Sequence, residues 1–142
     1  MITFFVPGLP ATQGSKKWIG GHRIIDTCKT LPKWRKDVAT IAKQYAPAQP
    51  YPKSVDVALL LTFVLPRPKS HYGTGRNANT VKPSAPKRPR GKDLTKMVRA
   101  VEDAMSGIIY ADDDQICQQV NNKEYGERAG VHVDVFVMED AE

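Results

Sequence analysis

The 142-residue sequence predicts a small α/β or α+β fold, in which a β-sheet packs against two helices. Residues 131–138 alternate apolar with polar side chains, as in a strand that has one buried face. Residues 55–65 are almost continuously apolar, which is typical of a central strand covered on both faces. Residues 31–46 and 94–105 carry apolar side chains at helical spacing. We find no internal repeat and no sign of a second domain, so we expect residues 1–142 to form one domain.

The first part of the chain is expected to form a strand, a hairpin and a helix. Residues 2–6 are rich in β-forming side chains and stop at a Pro-Gly turn signal. Residues 16–25 place apolar side chains around a Gly-Gly pair, which favours a hairpin. Pro32 lies just inside the start of the predicted helix 31–46, where proline is favoured. The apolar stripe of this helix consists of Trp34, Val38, Ile41 and Tyr45.

The remaining elements are one more helix and three strands. The apolar strand 55–65 comes first, and a long basic segment separates it from the second helix, 94–105. That helix has an apolar stripe and is followed closely by Gly107, as expected near a helix C-terminus. Residues 116–120 and 131–138 are the last two predicted strands. We expect both helices to pack on one face of the sheet.

Composition excludes several classes of protein. Lys and Arg number 21 and Asp and Glu number 15, giving a net charge of +6, and basic domains of this size most often bind nucleic acid. No apolar run is long enough to cross a bilayer, and the N-terminal segment lacks the basic region of a secretory signal. Two cysteines are too few for a disulfide framework or a cysteine-rich zinc site. We expect them to be reduced thiols in a cytoplasmic protein.

Positive charge is concentrated in residues 66–92, which we call the basic loop. It has no Asp or Glu, and its many Pro and Gly residues exclude a regular helix or a central strand. One interpretation is a solvated surface loop; the other is an arm that binds phosphates and becomes ordered on nucleic acid. Its candidates for DNA binding are Lys69, Arg76, Lys82, Lys87, Arg88, Arg90 and Lys92.

Carboxylates collect on and after the second helix, at Asp93, Glu102, Asp103, Asp112, Asp113 and Asp114. A structural interpretation exists for each part of this set, because Asp93 can cap the helix and three consecutive Asp residues can form a solvated turn. In an extended chain, Asp113 would also point away from Asp112 and Asp114.

The functional interpretation is a metal site that acts on phosphodiesters. Oxygen-only ligands suit Mg²⁺ or Mn²⁺, and such ions beside basic residues are standard equipment for phosphodiester hydrolysis. No Walker loop, no zinc-type pairing of His and Cys, and no defensible Ser/His/Asp order points to another chemistry.

The second helix and the acidic segment after it resemble the RusA family of Holliday junction resolvases, found in phages and prophages. Residues 92–105 read Lys-Asp-Leu-Thr-Lys-Met-Val-Arg-Ala-Val-Glu-Asp-Ala-Met, and residues 110–116 read Tyr-Ala-Asp-Asp-Asp-Gln-Ile. The family pattern is Asp-Leu-Asp-Asn-Leu, then a Lys and Asp-Ala-Leu on the same helix, then Asp-Asp-x-Gln. Residues 5–10 also resemble the family's opening strand and turn. Lys123 and Tyr125 match a Lys and an aromatic residue that follow the acidic motif.

The resemblance implies a mixed sheet, a homodimer, and a Mg²⁺-dependent endodeoxyribonuclease (Mn²⁺ being the alternative ion) that resolves four-way junctions in recombination and repair. Its catalytic residues would be Asp93, Asp113 and Arg99, the last standing where the family has a functional Lys. The metal ligands would be drawn from Asp93, Asp103, Asp112 and Asp113, and Lys96 and Lys123 join the DNA-binding candidates.

One departure from the family pattern bears on activity. Thr95 stands where the family has its second Asp, so one expected anionic ligand is missing. Thr95, Arg99 and Glu102 fall at positions i, i+4 and i+7, so Glu102 is a candidate to supply that carboxylate. The leading hypothesis is a resolvase in the bacterial cytoplasm without a membrane partner. The alternatives are a catalytically degenerate protein that binds junctions, and a basic structural protein with a capped helix and a solvated acidic turn.

Overall fold

A computed structural model describes residues 1–14, 16–21, 23–26 and 28–139 of the chain. The order of strands and helices along the chain is the one that the sequence predicts. In chain order the elements are β1 (Ile2–Pro7), β2 (Lys16–Gly20), β3 (Arg23–Asp26), α1 (Leu31–Tyr45), β4 (Asp56–Leu65), α2 (Leu94–Met105), β5 (Ile116–Tyr125) and β6 (Gly130–Met138).

Four of the strands form one mixed sheet in the order β1-β6-β4-β5. The pairs β1/β6 and β6/β4 are antiparallel, whereas β4 and β5 are parallel. The fold is therefore α+β with a mixed sheet, and β4 is central, both as predicted. β2 and β3 pair separately as an antiparallel hairpin, which confirms that prediction. β5 runs to Tyr125, beyond the predicted end at residue 120, because it pairs with β4 along its whole length.

The core lies between the sheet and the two helices, which pack on the same face. The strands contribute alternate side chains, and the helices contribute one stripe each. Buried members from β6 are Val131, Val133 and Val135, those from α1 include Trp34, Val38 and Ala42, and those from α2 include Met97, Val101 and Met105. This confirms the predicted one-sided packing.

The opposite face of the sheet, which we call the outer face, carries apolar side chains that no helix of the described residues covers. Leu60 on β4 is half-buried there, and Val120, Phe136 and Met138 are 50%, 39% and 40% exposed. The prediction that the central strand is covered on both faces is therefore wrong for this face. A continuously apolar run indicates a central position in the sheet, but it does not require a second layer.

The inner face of the sheet is apolar on β4 and becomes polar on the edge strand β5. Residues Leu59, Leu61 and Phe63 of β4 are buried in the core, and their partners on parallel β5 are Gln119, Asn121 and Lys123. A polar strip thus runs along β5 directly beside the apolar core. α2 contacts both α1 and β5, so its polar side meets this strip.

The basic loop forms no long helix or strand, as predicted, but it is internally bonded. It contains two single-turn 3-10 segments, Lys69–His71 and Gly75–Asn77, and a bridge pairs Tyr72 with Val81. The backbone N–H of Lys82 donates to the carbonyl of His71 at 2.8 Å. Elsewhere, within the described ranges, α1 and α2 are too short and too polar to be membrane-crossing helices.

Candidate active site

α2 begins at Asp93, whose carboxylate accepts a hydrogen bond from the backbone N–H of Lys96 at 3.1 Å. Asp93 is therefore the N-cap of the helix, which agrees with the structural interpretation of this residue. The apolar stripe of α2 faces the core, so the opposite side presents Thr95 and Arg99 to solvent. The Arg99 guanidinium lies against Gly14, which has a φ of +100° and could not carry a side chain without striking it.

The last turn of α2 carries a half-buried carboxylate at Glu102. Its Oε1 accepts a hydrogen bond from Gln119 Nε2 on β5 at 2.6 Å. Burial raises the pKa of Glu102, and the negative charges of Asp113 and Asp103 raise it further, while the Gln119 bond and Arg99 act in the opposite direction. Glu102 thus lies within electrostatic reach of both aspartates.

Asp103 is held from the other side by the segment that follows β1. Gln13 Nε2 donates to Asp103 Oδ2, and the backbone N–H of Gln13 donates to the carbonyl of Lys96 at 3.0 Å. These bonds fix the segment across α2. Gln13 Oε1 is buried and has no hydrogen-bond partner among the residues that the structure describes, so this amide oxygen lies unpaired there, next to the Nε2 that binds Asp103.

Residues 112–115, which we call the acidic turn, form a capped 3-10 turn. The Asp112 carboxylate accepts from the N–H of Asp114 at 3.0 Å, and the N–H of Asp112 donates to Gln115 Oε1 at 2.9 Å. Gln115 is 3% exposed. Its Nε2 contacts the carbonyls of Tyr51, Pro52 and Val55 at 3.2, 2.8 and 2.9 Å. The Gln of the Asp-Asp-x-Gln motif therefore anchors the turn to the segment that leads into β4.

The two aspartates that begin the acidic turn are shifted in opposite directions. The pKa of Asp112 is lowered, chiefly by the backbone N–H of Asp114. The pKa of Asp113 is raised, first by its hydrogen bond with Asp112, then by burial and by the charges of Asp112, Asp103 and Asp114. Asp113 consequently belongs with Glu102 and Asp103 in one repelling group, which we call the acidic cluster.

Tyr110 lies beneath this cluster and is fully buried. Its hydroxyl donates to the carbonyl of Glu102 at 2.8 Å. Burial raises the pKa of Tyr110, and the charges of Glu102, Asp113 and Asp103 raise it further. Tyr110 thus lies within electrostatic range of all three carboxylates of the acidic cluster.

The other predicted acids are placed differently. Asp112 uses one oxygen as the cap, and its other oxygen lies 3.9 Å from Lys53 Nζ. Asp93 precedes Glu102 by nine positions, roughly 14 Å along the helix axis. Within the part of the chain that the structure describes, no three or more His, Cys, Asp or Glu side chains are arranged to hold a metal ion.

The predicted basic residues form two groups. Lys92 Nζ donates to the carbonyl of Pro10, and burial lowers the pKa of Lys92. Lys123 Nζ donates to the carbonyl of Lys92 at 2.8 Å, so both ammonium groups lie against the backbone near the start of α2. The exposed cations of the basic loop are Lys69, Arg76, Lys82, Lys87, Arg88 and Arg90, and Lys96 on α2 is half-buried.

The sequence reasoning did not identify Gln13 and Gln119 as part of this site. Gln119 shares its strand face with Lys123 and Tyr125, so the period of two along β5 was an available signal. No sequence signal singles out Gln13, which lies 90 positions before its partner Asp103.

The segment that follows β1, α2, the acidic turn and β5 all fall within the match to a single family model. The model of endodeoxyribonuclease RusA matches residues 7–136 of this chain. The chain belongs to the RusA family. RusA-family membership supports DNA binding and endonuclease activity in the resolution of Holliday junctions during recombination. No match was found among curated proteins.

Proposed function

We propose that this RusA-family chain is a divalent-metal-dependent endonuclease that nicks four-way DNA junctions, in the cytoplasm of a bacterial cell. Residues 1–142 act as one nuclease domain. The observation that carries the proposal is the acidic cluster beside the Arg99 guanidinium, in which burial and the charges of Asp113 and Asp103 raise the pKa of Glu102, and Asp112, burial and the charge of Asp103 raise the pKa of Asp113. Carboxylates forced together in this way gain by binding a cation, and cations between carboxylates and a phosphate promote phosphodiester hydrolysis.

The donors of the acidic cluster fit Mg²⁺, with Mn²⁺ as the alternative. They are all oxygens, and Gln13 Oε1, which lacks a partner within the described ranges of the chain, adds a neutral one. Mg²⁺ usually takes only one or two carboxylates and keeps several waters, so it does not require three assembled acids. Asp113 with Glu102 or Asp103 would hold it, and Asp112 is less suited because both of its oxygens already have partners. When bound, the ion supplies charge neutralisation and an activated water.

The chain's own residues orient this chemistry. Gln119 and Gln13 donate to Glu102 and Asp103, which fixes the two carboxylates from opposite sides. Arg99 offers a planar pair of donors to a phosphate oxygen and stabilises charge that develops there. Gln115 anchors the acidic turn to the segment before β4, and this anchoring positions Asp113.

Asp93 and Thr95 are the two family-motif positions whose roles differ most from expectation. The family resemblance assigns Asp93 to catalysis and the metal, and its cap bond uses Oδ1, which leaves Oδ2 without a role in the cap. Thr95 contributes a neutral oxygen only, and Glu102 on the same stripe of α2 supplies the missing negative charge. The site therefore retains enough carboxylates for one ion.

The exposed cations of the basic loop bind the DNA backbone, together with Lys96, Lys92 and Lys123 near the start of α2. Phosphate contacts of this kind release counterions, so junction binding should weaken steeply as salt rises. The absence of any Asp or Glu from residues 66–92 favours this use over a merely solvated loop.

We further propose that the chain acts as a homodimer. What supports a dimer is the outer face, where Val120, Phe136 and Met138 remain exposed. A two-fold pairing of this face would present two acidic clusters to a junction that is itself roughly two-fold symmetric. Light scattering should give a molar mass in solution that is twice the mass of one chain. The Phe136→Glu variant should have the mass of a single chain.

The decisive experiment is cleavage of a labelled synthetic four-way junction with Mg²⁺ or with a chelator. Asp113→Asn should abolish nicking and retain junction binding, whereas the matched control Asp114→Asn, which removes the same charge one residue later, should remain active. Tight, salt-sensitive binding without nicking in either metal would favour the second candidate, a junction-binding accessory protein. The neutral Thr95 is the observation behind that candidate.

A further inference from the structure

A pocket outside the acidic cluster is formed where the two ends of the basic loop meet the end of β5. It has a volume of about 370 Å³, and we call it the Tyr72 pocket. Its lining includes Arg67, Tyr72, Lys87, Arg88, Glu124 and Tyr125. Pockets for small ligands commonly measure about 300–1,000 Å³, so this one can enclose a single nucleotide but no double helix.

The walls of the pocket are built by specific bonds. Arg67 Nη1 donates to the carbonyl of Pro86 at 2.7 Å, which joins the beginning of the basic loop to its end. The N–H of Gly73 donates to the carbonyl of Thr80 at 3.0 Å, beside the bridge between Tyr72 and Val81. Tyr72 is thus positioned by a small hairpin-like pairing within the loop.

Arg67 and Tyr125 form a stacked pair in the pocket wall. The Arg67 guanidinium carbon lies 4.3 Å from the centre of the Tyr125 ring, and His71 meets the same ring edge-on with centroids 5.5 Å apart. Arg67 Nη1 also lies 3.3 Å from His71 Nδ1. The Arg67 guanidinium therefore lies over the Tyr125 ring, and its bond to the Pro86 carbonyl helps to hold it there. Nucleobases stack on both guanidinium planes and aromatic rings.

Charges of both signs surround these flat groups without neutralising one another. Among the described residues, none of Lys87, Arg88 and Glu124 takes part in an ion pair. Cations suit the phosphate of a nucleotide, and a carboxylate accepts from the amino groups of a base. A pocket for a simple anion would have no use for Glu124 or for two aromatic rings.

The Tyr72 pocket adjoins a second groove, which lies on the side of β5 that leads toward the acidic cluster. This groove of about 520 Å³ shares Lys87 and Arg88 with the pocket and extends to Arg90 and Lys123. Along β5, Tyr125 follows Gln119 by six residues on the same face, which is roughly 20 Å. That span corresponds to about six nucleotides of a stacked strand.

We propose that the Tyr72 pocket binds one unpaired nucleotide of the DNA strand whose scissile phosphate lies at the acidic cluster. The base stacks against Tyr72 and the fixed Arg67 plane, and Lys87 and Arg88 hold its phosphate. This assignment rests on the proposed nuclease function for its biological use. It gives the protein a means to favour the unstacked strands of a branch point over regular duplex.

The test measures binding in chelator, so it does not depend on cleavage. Wild-type protein is titrated with single-stranded oligomers of about eight nucleotides, and with abasic oligomers that carry the same number of phosphates. We expect the strand with bases to bind about 5- to 150-fold more tightly, which is the range for stacking of one base. Equal affinity for the two would show a phosphate site only, and would overturn the proposal.

Variants then assign the preference to the pocket. Tyr72→Ala should remove the difference between the two oligomers, and Tyr72→Phe, which keeps the ring, should preserve it. Lys36 is an exposed cation on α1, so Lys36→Ala should change the affinity for both oligomers by the same factor and leave the preference between them unchanged. A preference that survives in Tyr72→Ala would refute the assignment. If the wild-type protein prefers oligomers with bases but does not cleave junctions, only the nuclease proposal is contradicted. If it cleaves junctions but shows no preference for oligomers with bases, only the proposal for the Tyr72 pocket is contradicted.

Discussion

Replacing Gln115 with alanine should both destabilise the protein and weaken DNA cleavage. The Gln115 side chain is buried, its Oε1 accepts from Asp112, and its two amide hydrogens serve carbonyls of Tyr51, Pro52 and Val55. Three net hydrogen bonds at about 0.5–1.5 kcal/mol each give a loss of roughly 1.5–4.5 kcal/mol. For a chain of this length, that corresponds to a fall in Tm of roughly 5–15 °C.

Urea denaturation gives the free energy of unfolding, and a junction assay well below the Tm gives the cleavage rate of the folded protein. The matched control is Gln44→Ala, because Gln44 is exposed on α1, away from both the acidic turn and the outer face. A stability loss below about 1 kcal/mol would refute the reasoning about the buried amide. A normal cleavage rate in a clearly destabilised Gln115→Ala would show that the anchor does not position Asp113.

Other predictions test the remaining carboxylates and the motif departure. Asp93→Asn keeps an N-cap side chain, so this variant should lose cleavage while its Tm is unchanged. Asp93→Ala should lose cleavage and also about 1 kcal/mol of stability. If Asp93→Asn still cleaves junctions, Asp93 serves only as the helix cap. The pKa of Glu102 is raised in the folded state, so its ionised form destabilises the fold and Glu102→Gln should have a higher Tm than the wild type at neutral pH. The difference in Tm should disappear as the pH falls through the raised pKa to the ordinary value of 4.5. A difference that does not change with pH would contradict this reasoning. Thr95→Asp should lower the Mg²⁺ concentration that gives half-maximal cleavage, and an unchanged requirement would place Thr95 outside the metal site. Lys82→Ala should reduce the slope of log affinity against log salt by about 0.9 if Lys82 meets one phosphate, and Lys36→Ala should leave it unchanged.

Most of the fold could be predicted from local patterns, because each element buries a stripe or an alternate set of side chains. The valines of β6 and the stripe of α2 are examples in which sequence period and burial agree. β5 was predicted too short, since residues 121–124 are Asn, Asn, Lys and Glu. Their inner face meets the polar side of α2 rather than the core, so hydrophobic alternation fades where the strand enters the candidate site.

The candidate site was less accessible to sequence reasoning. Glu102, Asp103 and Asp113 were named as candidates, yet their proximity depends on how α2 packs beside β5 and the acidic turn. Gln13 and Gln119 come from the two ends of the chain and only the fold brings them to α2. Amide side chains carry no charge and follow no period of their own, so patterns of acids and bases do not reveal them.

The acidic turn shows how neighbouring identical residues acquire different tasks. Asp112 accepts a backbone N–H and has its pKa lowered, so it remains ionised as the cap of the turn. Asp113 has its pKa raised, first by its hydrogen bond with Asp112 and then by burial and by the charges of Asp112, Asp103 and Asp114. These surroundings support the proposed role of Asp113 in metal binding. The family resemblance points to the same aspartate, but the different surroundings of Asp112 and Asp113 emerge only from the fold.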